Sequence, residues 1–115
     1  LKNMGVPIPF GTDCPVEDFD PFANIYCAVA RKGYTGLPEG GFYPNEALTV
    51  QEAVYAYTAD SAYASFEEDF KGKIKAGMAA DMAVLSKNIF DVPYEEILDT
   101  EVEMTVVDGK IVYSK

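Results

Sequence analysis

The C-terminal segment constrains the fold most, because it contains the strongest local pattern in the chain. From Val102 to Val106 apolar and polar residues alternate, and Asp108-Gly109 separates this run from a second one at residues 110–113. Alternation with a period of two is typical of a strand, and Asp-Gly between two such runs favours a type I′ turn. The sequence therefore predicts a β-hairpin with one apolar, packed face and one wet face.

Two helices are predicted upstream from their end signals. Asp20-Pro21 provides an N-cap residue and a proline at the first helical position, and Gly33 is the predicted stop about three turns later. Thr49 and Glu52 form a capping box that opens a second helix at residues 49–66. That helix is rich in alanine and tyrosine on nearly all sides, which indicates burial on more than one face.

The remaining segments are predicted to be strands and loops. Residues 6–10 are predicted to form a short strand, although two prolines within it lack amide donors. Glycine and proline are dense at residues 33–48, which predicts an irregular loop. A short apolar strand is expected at residues 82–86, followed by an irregular acidic stretch with one helical turn near residues 93–98.

Composition limits the class of protein. The chain has 115 residues and 49% hydrophobic content, enough for one domain with a core. Its formal net charge of −10 repels phosphate backbones and anionic lipid, which argues against nucleic-acid and membrane binding. The two cysteines, Cys14 and Cys27, do not make a disulfide framework, so a reduced, cytoplasmic protein with both thiols buried is predicted.

Asp13 is the candidate catalytic residue. It lies in a Gly-Thr-Asp turn directly after the predicted strand at residues 6–10. Barrel enzymes place reactive groups at such strand ends, whereas an aspartate in a turn also serves as a simple cap. From the residues alone both roles stay open.

An ordered set of motifs resembles the C-terminal part of metal-dependent amidohydrolases, above all the amidohydrolase family 3 type with its YtcJ-like and N-substituted formamide deformylase-like members. This set of motifs covers nearly the whole chain. Each motif alone is weakly specific, and the resemblance rests on the order of the motifs along the chain. Its members are Phe10-Gly11-Thr12-Asp13-Cys14-Pro15-Val16, Asp20-Pro21-Phe22, Ala28-Val29-Ala30-Arg31, the Gly-Leu-Pro-Glu-Gly-Gly loop at residues 36–41, the helix at residues 49–66, Gly72-Lys73-Ile74-Lys75-Ala76-Gly77, Ala80-Asp81-Met82-Ala83-Val84-Leu85 and Thr105-Val106-Val107-Asp108-Gly109-Lys110.

The resemblance implies an α+β fragment. It would comprise the last βα unit of a (β/α)8 barrel, within residues 1–70, and the C-terminal strands of a small β-sandwich domain, within residues 71–115. Asp13 matches the carboxylate at the end of the eighth barrel strand, with Thr12 where serine is more usual. Because the chain begins inside a predicted strand and contains no histidine, we expect the N-terminal part of the same enzyme to be missing.

The implied activity is hydrolysis of amide-like, non-peptide C–N bonds in a small-molecule substrate. Asp13 would bind a divalent metal, zinc being the metal that the resemblance implies, and would accept the proton of the attacking water. The other ligands would be upstream histidines and often a carboxylated lysine. Because catalytic zinc takes about three protein ligands, the chain alone is expected to be inert. A nucleobase deaminase, a cyclic amidase and an autonomous binding or regulatory domain remain alternatives.

Arg31 is the candidate substrate-binding residue. It follows the first predicted helix, where a positive charge is favourable without any function. The alternatives are contact with the substrate and an ion pair with Glu17 or Asp18. Residues 36–44 either line the pocket or only connect two helices. Asp81 is predicted to pin the turn before a strand, and an apolar face left uncovered by the missing barrel would allow a homo-oligomer.

Overall fold

The computed structural model describes residues 2–115 of the chain. Its α-helices are α1 (Pro21–Ala30), α2 (Val50–Tyr55) and α3 (Ser61–Ala64), and a π-helical segment (Ala56–Asp60) joins the last two. Single 3-10 turns occur at Lys2–Met4, Pro44–Glu46 and Tyr94–Asp99, and the strands are β1 (Met82–Leu85), β2 (Val102–Val107) and β3 (Lys110–Ser114). Among the described residues no helix has both the length and the apolar character needed to cross a bilayer.

The chain divides into two compact units. The helical unit contains Gly11–Val54 and Asn88–Thr100, and the sheet unit contains residues 2–10 with Tyr55–Lys87 and Glu101–Lys115. An α+β content with a small antiparallel sheet confirms the coarse fold class that the sequence predicts. The predicted division between residues 70 and 71 concerns the domains of a longer protein and stays a prediction.

Helix α1 builds the core of the helical unit. It begins as predicted: Pro21 opens it, and the amide of Phe22 donates to Oδ1 of Asp20 at 2.9 Å. Its buried face packs against the 3-10 turn at Tyr94–Asp99. Ile97 on that turn is 0% exposed, so removal of its side chain would leave a cavity in this core.

Helix α1 ends earlier than predicted, and Gly33 is not its stop. Arg31 takes the left-handed conformation, with φ 56° and ψ 32°, while its amide still donates to the carbonyl of Cys27. The amide of Phe42 donates to the Arg31 carbonyl at 2.7 Å, and a Cβ on Gly41 would lie 2.7 Å from the carbonyl oxygen of Ala30. A distant loop therefore closes the helix end, which no local signal predicts.

The second helix begins with the predicted capping box. The amide of Thr49 donates to Oε2 of Glu52 at 2.9 Å, and the Glu52 amide donates to the Thr49 hydroxyl at 3.2 Å. The prediction of burial on several sides is wrong, because one alanine face alone is buried. Tyr55 and Tyr63 are 51% and 53% exposed, and the buried alanines are Ala53, Ala56, Ala59 and Ala62.

The sheet has the order β1-β2-β3 with antiparallel neighbours. Asp108 and Gly109 both have positive φ, 50° and 72°, as the predicted type I′ turn requires. Oδ1 of Asp81 accepts the Asp108 amide at 2.8 Å, so Asp81 holds the hairpin turn, whereas the sequence predicts that it pins the turn before β1. The prediction of a packed apolar face is wrong for β3: it is exposed along its length, with Ile111 62% accessible.

Residues 6–10 do not form the predicted strand. Pro7 and Pro9 have no amide hydrogen to give to a ladder. The amides of Ile8 and Phe10 instead donate to the π-helical segment and its border. Residues 6–10 are thus hydrogen-bonded to a helix and not to a strand.

Candidate functional site

Asp13 lies in a turn closed by the backbone. Its φ is 53°, a left-handed conformation that aspartate tolerates better than most residues. Its carbonyl accepts the amide of Val16 at 2.8 Å, and the carbonyl of Thr12 accepts the amide of Glu17 at 3.3 Å. The turn therefore holds its shape without any contribution from the Asp13 side chain.

The Asp13 carboxylate is exposed and has no partner among residues 2–115. A capping aspartate would accept a backbone amide through its side chain, and Asp13 accepts none from the described part of the chain. Its carboxylate is therefore available for chemistry. The capping alternative, left open by the sequence, has no support in this geometry.

Metal binding requires more donors than this turn supplies. Within residues 2–115 no three histidine, cysteine, aspartate or glutamate side chains lie together as metal ligands. One monodentate or bidentate carboxylate does not satisfy a catalytic zinc, which takes about three protein ligands. The described residues therefore do not form a complete metal site, and Asp13 supplies at most one ligand to such a site.

Arg31 has a structural role that the sequence does not reveal. Its Nε donates to the carbonyl of Phe42 at 3.0 Å, and its own carbonyl accepts the Phe42 amide. Among the described residues its partner is this loop, rather than Glu17 or Asp18. The side chain of the half-buried Arg31 thus closes residues 31–42 into a loop, and its contact with a substrate remains a prediction.

The loop also bonds to the chain that follows the Asp13 turn. The Tyr34 hydroxyl donates to Oε2 of Glu17 at 3.1 Å. Phe42 and Tyr43 stack edge to face with ring centroids 4.6 Å apart, and both are exposed. The loop thus reaches Glu17, four residues after Asp13, through the Tyr34 hydroxyl, and no pattern in the sequence predicts this contact.

The two cysteines differ in environment. Both thiols are free; Cys14 is exposed and Cys27 is half-buried. The predicted burial of Cys14 is wrong, because the residue lies on the same exposed turn as Asp13. Burial raises the pKa of the Cys27 thiol, and the negative charge of Glu17 raises it further.

Comparison with known proteins gives one consistent family. A sequence profile described as the amidohydrolase family matches residues 1–113. The putative amidohydrolase YtcJ of Bacillus subtilis (strain 168) is 36% identical over 115 residues, which are 100% of this chain and 22% of that protein. The N-substituted formamide deformylase of Arthrobacter pascens is 33% identical over 115 residues, again 100% of this chain and 21% of that protein.

A solved structure supports the same fold. The crystal structure of an amidohydrolase from Thermotoga maritima MSB8 superposes with a TM-score of 0.65 at 23% identity, covering 100% of this chain and 25% of that one. The chain therefore spans about a fifth of the length of the two relatives and a quarter of the solved structure. Since the family profile matches nearly every residue, the chain belongs to the amidohydrolase family.

Proposed function

We propose that this chain supplies the C-terminal part of a metal-dependent hydrolase of amide-like, non-peptide C–N bonds, with Asp13 as its catalytic carboxylate. The single observation that carries the proposal is the Asp13 turn: its aspartate is exposed, has no side-chain partner among residues 2–115, and lies in a turn held by backbone bonds. The proposed setting is the end of the last strand of a (β/α)8 barrel, with residues 71–115 in a small β-sandwich.

Asp13 is proposed to act on protons. A carboxylate near the scissile bond accepts a proton from the attacking water as the water oxygen bonds to the carbonyl carbon. The same proton then passes to the departing nitrogen as the C–N bond breaks, so that an amine and a carboxylic acid leave. This double use of one group requires a carboxylate that no other side chain neutralises, and the exposed Asp13 meets that requirement.

The proposed metal would take Asp13 as one donor among several. Because the described residues hold no further ligands grouped with it, the other donors belong to parts of the protein outside this chain. We expect the purified chain alone to show no turnover and to retain no stoichiometric zinc after dialysis. Zinc retained by the chain alone would contradict this division of the ligands.

The test is Asp13→Asn in the complete protein that carries this chain, assayed on a panel of N-formyl and N-acyl amines. Asparagine keeps the shape of the side chain and the turn but cannot accept the proton. We expect kcat/KM to fall by about 100-fold to 10,000-fold, the range typical for loss of a general base.

Asp108→Asn is the matched control, because Asp108 is also an exposed aspartate with positive φ. Asparagine suits a type I′ turn, so turnover of this variant should stay within about twofold of the parent. Full activity of Asp13→Asn would exclude Asp13 as the proton acceptor. Activity confined to substrates without an amide-like C–N bond would exclude the proposed reaction.

A further inference from the structure

The Asp13 turn is closed by two backbone hydrogen bonds of unequal length. The amide of Val16 donates to the Asp13 carbonyl at 2.8 Å, and the amide of Glu17 donates to the Thr12 carbonyl at 3.3 Å. Most hydrogen bonds between an amide and a carbonyl are about 2.7 to 3.2 Å long. The bond from Glu17 is therefore the weaker of the two, and the shape of the turn depends on what else holds Glu17.

The side chain of Glu17 has a partner on a loop of the same unit. Its Oε2 accepts the Tyr34 hydroxyl at 3.1 Å, across 17 residues of sequence. Both residues belong to the helical unit, as does the whole Asp13 turn. A hydrogen bond to a charged acceptor is stronger than one between neutral groups. Glu17 thus bonds to the turn through its backbone and to the loop through its carboxylate.

A second observation places the Glu17 carboxylate near α1. Burial raises the pKa of the Cys27 thiol on this helix, and the negative charge of Glu17 raises that pKa further. Such an effect is typical of charges within about 6 Å. The carboxylate therefore lies close to α1 as well as to Tyr34.

Tyr34 belongs to a loop whose two ends are fixed at the end of α1. At the base of the loop, the Phe42 amide donates to the Arg31 carbonyl, and Nε of Arg31 donates to the Phe42 carbonyl. Around Tyr34 itself, the amide of Gly33 donates to the Leu37 carbonyl at 2.8 Å and closes a tight turn. The hydroxyl that reaches Glu17 thus projects from a loop that backbone bonds hold in place.

We propose that Glu17 and Tyr34 are positioning residues for the Asp13 carboxylate, an inference that rests on the proposed function of Asp13. The Asp13 side chain bonds to none of residues 2–115, so the backbone of its turn sets the direction of the carboxylate. The Tyr34 hydroxyl holds Glu17, and Glu17 supplies the weaker bond of that turn. When the hydroxyl is lost, this bond opens more often, and the carboxylate spends less time in its reactive orientation.

The expected effect falls on the chemical step. Displacement of a reacting group by about 1 Å costs about 100-fold in rate, and loss of one exposed hydrogen bond displaces the carboxylate for part of the time. Tyr34→Phe in the complete protein that carries this chain should therefore lower kcat by about threefold to tenfold on the amide that the panel identifies. KM should stay within about twofold of the parent, because binding of the substrate is not changed.

Tyr63→Phe is the matched control. Tyr63 is 53% exposed and Tyr34 is 55% exposed, so both variants remove a hydroxyl from a tyrosine of similar accessibility. The Tyr63 hydroxyl bonds to none of residues 2–115. The kcat of Tyr63→Phe should therefore stay within about 1.5-fold of the parent.

Variants of Glu17 test the same contact from its other side. Glu17→Ala should lower kcat as far as Tyr34→Phe does, and the double variant should lose little more, because both changes break one hydrogen bond. Glu17→Gln keeps a side-chain oxygen that accepts the hydroxyl, so kcat should return to within about twofold of the parent. Asp18→Ala is the control for loss of a carboxylate, because Asp18 is exposed and its side chain bonds to none of residues 2–115.

Amide hydrogen exchange gives a readout independent of turnover. In Tyr34→Phe the amides of residues 13–17 should exchange at least about threefold faster, because the turn opens more often. The Phe42 amide should exchange at the parent rate, since the bonds at the base of the loop do not use the Tyr34 hydroxyl. Faster exchange at both places would mean that the whole loop is disturbed, and would contradict a role limited to the Asp13 turn.

An effect of Tyr34→Phe on kcat no larger than that of Tyr63→Phe would overturn the inference. Additive losses in the double variant, or a failure of Glu17→Gln to restore kcat, would do the same. If Tyr34→Phe does not fold, the two Glu17 variants and Asp18→Ala decide the question. If Asp13→Asn is inactive while the Tyr34 and Glu17 variants are normal, the proposed function stands and only the positioning role fails; an active Asp13→Asn removes the proposed function itself.

Discussion

Two turns of this chain hold an aspartate in almost the same left-handed conformation, with φ 53° at Asp13 and 50° at Asp108. In the hairpin, the next residue is glycine and the Asp108 amide is bound by Asp81, so strand pairing and turn chemistry explain the conformation. Within residues 2–115 no side chain binds the amide of Asp13 in this way, and the Asp13 turn joins no described strands. The hairpin turn therefore depends on the backbone of Asp108 alone. The carboxylate of Asp13 plays no part in holding the Asp13 turn.

The largest difference in stability is expected between alanine substitutions at the glycines of the two turns, Gly109 and Gly11. Gly109→Ala forces a Cβ into φ 72° and should cost about 1–2 kcal/mol. Gly11→Ala should change the free energy of unfolding little, because Gly11 has no positive φ and nothing within 4 Å of the added Cβ. Urea denaturation of both variants measures the difference, and equal losses would remove the distinction between the two turns.

A smaller effect is expected from the aspartate that holds the hairpin turn. Asp81→Ala leaves the Asp108 amide without its acceptor and should lower the free energy of unfolding by about 1 kcal/mol. Hydrogen exchange at Asp108 should become faster in the same variant. Asp69→Ala serves as the reference for loss of an exposed carboxylate, and a loss of stability as large as that of Asp81→Ala would contradict the pinning role.

The smallest effect is expected at the open end of the hairpin. The Lys115 ammonium donates a hydrogen bond to Glu101, and that bond and its positive charge lower the pKa of the Glu101 carboxyl. The same bond raises the pKa of Lys115. The pair therefore adds stability above the unfolded-state pKa of glutamate, which is lost as pH falls through the lowered value; on the basic side it is lost as pH rises through the raised pKa of Lys115.

Both side chains of this pair are exposed, 58% and 62% accessible, so solvent and salt screen it strongly. A carbon-detected NMR titration should show the Glu101 midpoint moving up towards the usual glutamate value in Lys115→Gln. An unchanged midpoint would show that the pair does not persist in solution.

Elements with complete local signals were predictable from the sequence. Asp20 caps the helix that begins at the next residue, the capping box of Thr49 is closed by Glu52, and Asp108-Gly109 forms the turn between paired strands. The Asp20 cap and the Thr49–Glu52 box each join groups within three residues, and Val107 pairs with Lys110 across the hairpin turn. The role of Asp13 stays a prediction, and it rests on the resemblance of its motif to the family rather than on a local structural signal.

Features that depend on distant residues were not predictable. The end of α1 at Arg31 depends on Phe42, and the π-helical segment accommodates amides from residues about fifty positions earlier. The predicted strand at residues 6–10 fails for the same reason. The hydrogen bond from Tyr34 to Glu17 joins two loops, and no sequence pattern predicts that these loops lie close to each other.

The exposure of Cys14 makes the Asp13 turn open to selective labelling. Thiolates, rather than thiols, attack electrophiles, and the half-buried Cys27 has a raised pKa that keeps it protonated. A maleimide dye should therefore attach to Cys14 first. The dye would then lie one residue from the Asp13 carboxylate. The fluorescence of the dye would report when a ligand or a neighbouring polypeptide covers this turn.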